Sequence, residues 1–286
     1  MANLKEIRSR ISSVGSTMQI TSAMKMVSAA KLKKAQDAIT AMRPYADKLT
    51  ELLQNLSATL DGDSGSVYAE QREVNKVLIV AITSNRGLCG AFNSNVIKEA
   101  SRLAEGQFAG KEVSLVTIGK KGNDILSKKY KVAFNNNEVF DNLTFDNVAA
   151  IAETLMQQYA EGNYDKIVLL YNHFKNAATQ IVKTEDYLPI SPSEGEAKAS
   201  MDYIFEPNKV EIVETLIPKS LKTQLYKAIR DSFASEHGAR MTAMHKATDN
   251  AGELKAELTL TYNKARQAAI TGEILEIVGG AEALNG

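Results

Sequence analysis

Apolar residues near the N-terminus recur at alternating steps of three and four positions, the spacing of a heptad repeat. The series runs through Leu4, Ile7, Ile11, Val14, Met18, Thr21, Lys25, Ser28, Leu32, Ala35, Ile39, Met42, Ala46, Leu49, Leu53, Leu56 and Leu60. Its polar members lie together at positions 21, 25 and 28, where Met24 and Val27 place apolar surface one position away. We therefore predict a coiled-coil helix over residues 1–60 whose apolar stripe rotates locally at this point.

Pro44 lies within this series, which keeps its phase on both sides of the proline. We expect the helix to kink there without ending, because only one backbone donor is lost. The Asp, Gly and Ser residues at positions 61–66 then predict the end of the helix.

The C-terminal stretch repeats the heptad pattern. Its apolar positions are Val210, Val213, Ile217, Leu221, Leu225, Ala228, Met241, Met244, Ala251, Leu258, Ala265 and Ile277. The pattern predicts a second long helix over residues 208–286, in which each internal glycine costs about 1 kcal/mol relative to alanine. Since neither helix can bury its stripe alone, we predict that the two pair with each other as an antiparallel coiled coil.

Between the two helices the pattern changes to strands that alternate with helices. Predicted strands cover residues 77–82, 113–118, 132–134, 167–171 and 179–183, and predicted helices cover 94–104, 121–129 and 148–160, the last capped by Asp146. Repeated strand–helix units predict a largely parallel, Rossmann-like sheet in an α/β domain over residues 74–190. A linker with three prolines, residues 189–207, leads to the second long helix.

Composition excludes several classes of protein. Apolar residues make up 44% of the chain and charged residues 24%, and the net charge is zero, which argues against a general polyanion binder. Cys89 is the only cysteine, which excludes an internal disulfide and a four-cysteine zinc site. The N-terminus lacks an apolar signal core, and the longest strand-like apolar run is far too short to span a membrane. We expect a soluble, unprocessed bacterial protein from a reducing compartment.

No catalytic or cofactor motif is complete. The glycines of the Gly87–Gly90 and Gly119–Gly122 segments follow the first two predicted strands, but neither segment completes a dinucleotide or phosphate-loop pattern. We interpret them as tight turns and predict no nucleotide cofactor. The three histidines show no zinc-binding spacing, so we predict no metal. No catalytic-thiol motif surrounds Cys89; Arg86 could lower its pKa, but we expect a small buried residue.

Basic residues cluster in the first 34 positions. Seven basic residues face a single acidic one, Glu6; they are Lys5, Arg8, Arg10, Lys25, Lys31, Lys33 and Lys34. Such a cluster fits a solvated coiled-coil face, a basic zipper arm on DNA, or a shaft that meets an acidic protein. Because the basic residues are interleaved with the apolar series and do not precede it, an acidic protein partner fits better than nucleic acid. A passive scaffold and a nucleotide-binding enzyme remain competing hypotheses.

Four segments, in order along the chain, resemble the γ subunit of F-type ATP synthases. They are residues 20–31 (ITSAMKMVSAAK), 83–90 (TSNRGLCG), 234–251 (ASEHGARMTAM followed by ATDNA) and 262–281 (YNKARQAAITGEILEIVGGA). The resemblance spans essentially the whole chain, and the family's order of long helix, α/β domain and long helix agrees with the pattern above. One departure is Gly272, where the family commonly has Gln.

The resemblance implies a rotor and not an enzyme. In this family the paired terminal helices turn inside a ring of α and β subunits, while the globular domain lies near the ε subunit and the membrane ring of c subunits. Rotation couples ion flow through the c ring to ATP synthesis and hydrolysis on β. The resemblance also implies a peripheral location on the cytoplasmic face of the bacterial inner membrane.

The family's contact residues carry over to matching positions of this chain. Met24 and Lys25 resemble the neck that faces an acidic lever of β, and Arg86 and Cys89 resemble a second contact with that lever. The patch gripped by a β loop corresponds to Arg266, Gln267, Thr271 and Glu273. The foot on the c ring corresponds to Tyr203 and Glu206.

Overall fold

A computed structural model describes residues 4–57, 67–190 and 209–285 of the chain. Its helices and strands, in chain order, are α1 (Leu4–Ser57), β1 (Lys76–Ile82), α2 (Phe92–Arg102), β2 (Glu112–Ile118), α3 (Lys120–Leu126), β3 (Lys131–Asn136), α4 (Phe145–Ala160), β4 (Lys166–Phe174), β5 (Gln180–Leu188) and α5 (Lys209–Asn285). Among the described helices, none combines the length and the hydropathy needed to cross a bilayer.

The five strands form one sheet in the order β3-β2-β1-β4-β5. The first four are parallel, and β5 pairs antiparallel with β4. Alternate residues of the central strand β1 fill two cores, as expected for a strand covered on both faces. Val77, Ile79 and Ala81 pack with α2, whereas the other face packs with α4 and with residues 217–229 of α5. The predicted α/β class is therefore confirmed.

Two local predictions in this region were wrong. The cap of α4 is Thr144 and not Asp146, because the Thr144 side chain accepts a hydrogen bond from the Asn147 backbone N–H at 3.3 Å. Strand β5 extends to Leu188, well beyond the predicted residue 183. Its residues alternate in exposure along most of its length, so it lacks the continuous apolar run that marks a central strand.

Contacts divide the chain into two compact units, one of residues 1–28 with 241–286 and one of residues 29–240. The second unit contains the sheet, the later part of α1 and the first part of α5. The predicted domain boundaries at 1–60, 74–190 and 208–286 stay predictions.

Within the first unit, α1 and α5 run antiparallel, as predicted. Lys25 Nζ lies 3.4 Å from His245 Nδ1, and Thr21 Oγ1 lies 2.8 Å from Thr248 Oγ1. A side chain at Gly252 would lie 3.9 Å from the sulfur of Met18. Seven positions back along α1, from residue 25 to residue 18, are thus matched by seven positions forward along α5, from residue 245 to residue 252.

The polar positions of the α1 series remain in the seam. Thr21 and Ser28 are buried, whereas Val27 is 57% exposed, so the predicted local rotation of the apolar stripe is wrong. Ser28 Oγ donates to the Met24 carbonyl at 2.7 Å, and Thr21 Oγ1 donates to the Met18 carbonyl at 3.1 Å. Because these hydroxyls are satisfied locally, burying them costs little and the heptad phase is kept.

Helix α1 continues through Pro44 to Ser57, which confirms that the proline does not end it. The predicted stop at positions 61–66 lies outside the described residues. Most of the predicted linker, from residue 191 onward, also lies outside them.

Candidate partner-binding surfaces

The loop of residues 84–90 follows β1 at the carboxyl edge of the sheet. Asn93, in the first turn of α2, fixes its base: Asn93 Oδ1 accepts from the Ser84 N–H at 2.9 Å, and Asn93 Nδ2 donates to the Cys89 sulfur at 3.2 Å. At the tip, Arg86 is exposed, and Leu88 has φ 62 with 65% of its surface exposed. The loop thus presents one cation and one apolar side chain to the outside.

Cys89 lies beneath this loop and not on its surface. It is 2% exposed, which confirms the expected small buried residue. Burial raises the pKa of the Cys89 thiol, and the cation that opposes this rise is Arg240 of α5, not the predicted Arg86. Of the two loop residues carried over from the family, only Arg86 can meet a partner directly in this conformation.

Arg240 connects α5 to the same loop. Its Nη2 donates to the Arg86 carbonyl at 3.1 Å and to the Gly87 carbonyl at 3.3 Å, while its Nη1 donates to Glu236 Oε1 at 2.6 Å. Both charged side chains are about nine-tenths buried. The sequence pattern did not single out Arg240. The signal that could have done so is a pair of opposite charges four residues apart in a helix of small residues.

His237 lies in the same buried group. Burial, followed by the charge of Arg240, lowers the pKa of His237 to about 3, so the imidazole is neutral at physiological pH. Burial raises the pKa of Glu236, and Arg240 opposes that rise. We take Glu236 as ionised because its carboxylate accepts directly from the guanidinium.

The glycines after β2 serve close packing. Gly119 has φ 106, and a side chain there would clash with the Thr83 backbone. The Gly122 N–H donates to Thr83 Oγ1 at 2.9 Å. The turn after β2 thus packs closely against Thr83, which confirms that these two glycines serve a tight turn.

Within the described ranges, no group of three or more His, Cys, Asp or Glu side chains is placed to hold a metal.

The predicted neck residues lie on the paired helices of the first unit. Met24 and Lys25 are half-buried. The Lys25 ammonium lies beside His245, whose Nδ1 is 3.3 Å from Asp249 Oδ2. Nearer the start of α1, Arg8 and Arg10 are exposed, and Arg10 Nη2 lies 3.0 Å from Glu6 Oε1. This part of α1 is a positively charged face that water still reaches.

The last part of α5 extends past its partner. Continuing the paired steps places Leu4, the first described residue of α1, near residue 266. Beyond that point large apolar side chains are exposed: Ile270 48%, Ile274 55%, Leu275 66%, Ile277 71% and Val278 50%. The prediction that the seam continues to Ile277 is wrong: this side chain is 71% exposed, and no described residue of α1 lies opposite it. We call residues 267–281 the overhang.

The four predicted contact residues at this end are all exposed. Arg266 lies where the described pairing ends, and Gln267, Thr271 and Glu273 lie in the overhang. Thr271 Oγ1 donates to the Gln267 carbonyl at 2.9 Å, so its hydroxyl hydrogen is already used. Tyr203 and Glu206 lie outside the described residues.

Comparisons with known proteins agree along the whole chain. A family model described as ATP synthase matches residues 3–284. The ATP synthase gamma chains of Flavobacterium johnsoniae and Christiangramia forsetii are 75% and 68% identical to this chain, each over 100% of both sequences.

Solved structures of ATP synthase rotors have a similar fold. A chain of the central stalk and c ring of the Tetrahymena thermophila mitochondrial ATP synthase is 29% identical with a TM-score of 0.61, covering 80% of this chain and 99% of its own. A chain of the Euglena gracilis mitochondrial ATP synthase rotor reaches a TM-score of 0.68 at 22% identity, covering 93% and 98%.

Proposed function

Since this chain belongs to the ATP synthase gamma chain family, we propose that its overhang, its basic neck and its 84–90 loop are the surfaces that meet the catalytic ring. The chain is the non-catalytic central-stalk subunit of an ATP synthase, the rotor shaft that couples ion flow to ATP synthesis. The proposed partners are the α and β subunits around the shaft, the ε subunit beside the α/β domain, and the membrane c ring below.

The overhang carries this proposal. Monomeric proteins rarely expose so many large apolar side chains along one short segment, and such patches mark binding surfaces. Ile277 and Leu275 are more than 60% exposed and belong to a helix that has passed its partner. An apolar tip inside an apolar sleeve has few directional bonds to break as it turns, which suits a rotating bearing.

The charged surfaces have a different role in the proposal. Arg8, Lys25 and Arg86 present positive charge that water still reaches. Attraction to a carboxylate on each β subunit in turn is weakened by water and salt, so it can guide rotation without trapping one state. A shaft face that binds one conformation of β better than another shifts that site toward the favoured conformation.

The proposed contacts at the membrane end of the rotor are supported by the family resemblance. We propose that Tyr203 and Glu206 contact the c ring. The chain would then be a peripheral protein on the cytoplasmic face of the bacterial inner membrane.

The experiment tests the overhang within an assembled complex. Leu275→Asp with Ile277→Asp is compared with Ile125→Asp, which makes the same kind of substitution once, at an apolar side chain of α3 that is 52% exposed. Each chain is reconstituted with the α and β subunits. Relative to the wild type, the double variant should show a severalfold lower assembly yield or ATP-driven rotation, whereas the control should not. Equal behaviour of all three chains would contradict a role for the overhang.

A further inference from the structure

The 84–90 loop has a shape that its own sequence does not favour. Leu88 lies in the left-handed region at φ 62, where residues with a side chain are uncommon. Its exposed side chain makes little contact that could compensate for this backbone conformation. The hold on the loop must therefore come from other groups that bind its backbone.

Within the loop, Ser84 Oγ donates to the Arg86 carbonyl at 2.6 Å, and Arg240 supplies the hold from outside the loop. One guanidinium nitrogen donates to two consecutive loop carbonyls, those of Arg86 and Gly87, and the other donates to Glu236. Arg240 Nη1 also lies 3.5 Å from His237 Nδ1. Because a guanidinium offers only donors, Nδ1 of the neutral imidazole is the acceptor in this contact. The planar fork of arginine makes these contacts together, which the single ammonium of lysine cannot do.

Stability alone does not explain this arrangement. Buried ion pairs commonly stabilise a fold no better than apolar residues of similar size, because both charges lose their hydration. Here the buried pair directs its donors at the loop backbone, directly below the exposed Arg86 and Leu88 side chains. A network of this kind specifies one conformation of the loop.

We infer that Arg240, itself oriented by Glu236, is the positioning residue that holds the 84–90 loop in the shape that a partner subunit recognises. This inference rests on the proposed function, in which the loop is a contact surface. In this inference Arg240 and Glu236 set the conformation of the contact surface before a partner binds. They lie below the surface and do not themselves touch the partner.

Cys89 provides a built-in probe of loop position. Its thiol lies under the loop and is 2% exposed, so an uncharged maleimide reaches it only when the loop opens. In the full-length chain at fixed pH, Arg240→Ala should raise the labelling rate about tenfold or more, because several charge-assisted hydrogen bonds are lost. Glu236→Gln should raise it less, and Arg240→Lys should fall between Arg240→Ala and the wild type.

Arg230→Ala is the matched control. Arg230 is on the same helix, and its Nη2 donates to the Leu143 carbonyl at 3.0 Å, away from the 84–90 loop. Its loss should lower the melting temperature without changing the rate at which Cys89 reacts. If Arg230→Ala speeds labelling as much as Arg240→Ala does, the effect is general loosening and the inference is overturned.

Coupling in the assembled complex separates this inference from the proposed contact. The readout is the ratio of ATP-driven ion pumping to ATP hydrolysis. Arg86→Ala should lower that ratio with no change in thiol labelling, Arg240→Ala should lower it as well, and the double variant should be no worse than the more damaging single variant.

Three results would contradict these expectations in different ways. Unchanged labelling in Arg240→Ala overturns the inference whatever happens to coupling. Additive coupling losses in the double variant would mean that Arg240 acts independently of the loop, which also overturns the inference. A third result is a normal pumping-to-hydrolysis ratio in Arg86→Ala together with faster labelling in Arg240→Ala. It would show that Arg240 holds the loop but that the loop is not a partner contact. The loop contact would then be removed from the proposed function, and Arg240 would lose its positioning role.

Discussion

The two ends of α5 have the same kind of sequence and opposite surroundings. From Ile217 to Ile229 its apolar residues are buried with the sheet strands, and Leu225 and Ile229 have no exposed surface. In the overhang, apolar residues at similar spacing are half to two-thirds exposed. A heptad pattern therefore indicates that a helix face will be covered, but not whether the cover comes from the same chain or from another protein.

The largest expected effect tests this contrast directly. Leu225→Ala should lower the free energy of unfolding by about 3 kcal/mol, because it leaves a cavity in a closed core. Ile277→Ala should change it by less than about 0.5 kcal/mol, since water already reaches that side chain. Urea unfolding of the full-length chain measures both, and similar losses would show that the overhang is packed in the isolated protein.

The strands of the parallel core could be predicted because long apolar runs such as 77–82 must be buried on both faces. The cap of α4 could not be chosen between Thr144 and Asp146 from type alone, since both side chains accept hydrogen bonds. The end of the paired seam could not be predicted, because the apolar series continues through Ile277 and nothing in its spacing marks where the partner helix ends. The role of Arg240 was missed because a sequence does not show which carbonyls a guanidinium reaches.

A second variant tests the buried end through its charge. Asp231 is fully buried on α5, where it accepts from Arg43 at 3.4 Å and lies 2.7 Å from His173 Nδ1. Asp231→Asn should cost about 2 kcal/mol, because the cation and the imidazole lose a charged partner. Asp37→Asn is the control: Asp37 is exposed and pairs with Lys33 one turn away, so its loss should cost about 0.5 kcal/mol or less. Equal losses in thermal unfolding would contradict the contrast.

The pH dependence of stability sharpens the same contrast. The folded-state pKa of His237 is about 3, below its ordinary value of 6.5, so between these values the unfolded chain binds more protons. This contribution to stability is complete above about pH 6.5 and is lost as the pH falls toward 3, at no more than about 1.4 kcal/mol per pH unit. The pKa of Glu236 is raised, so its contribution to the pH dependence of stability has the opposite sign.

The measurement is therefore a difference between variants. Urea unfolding between pH 5 and 7 should show a smaller loss of stability with acid for His237→Gln than for the wild type. Identical slopes for wild type and His237→Gln would mean that the buried imidazole is not held neutral.

The smallest stability effect belongs to the exposed end, and it is also the most direct test of the rotor account. Arg266→Ala with Gln267→Ala should change the melting temperature of the isolated chain very little, because both side chains are exposed. In a fully assembled complex the double variant should lower ATPase turnover severalfold, since a charge-assisted bond buried against a partner can be worth about 2–5 kcal/mol. Glu253→Ala, also exposed on α5, is the control and should leave turnover unchanged. Normal turnover in an assembled double variant would contradict the account.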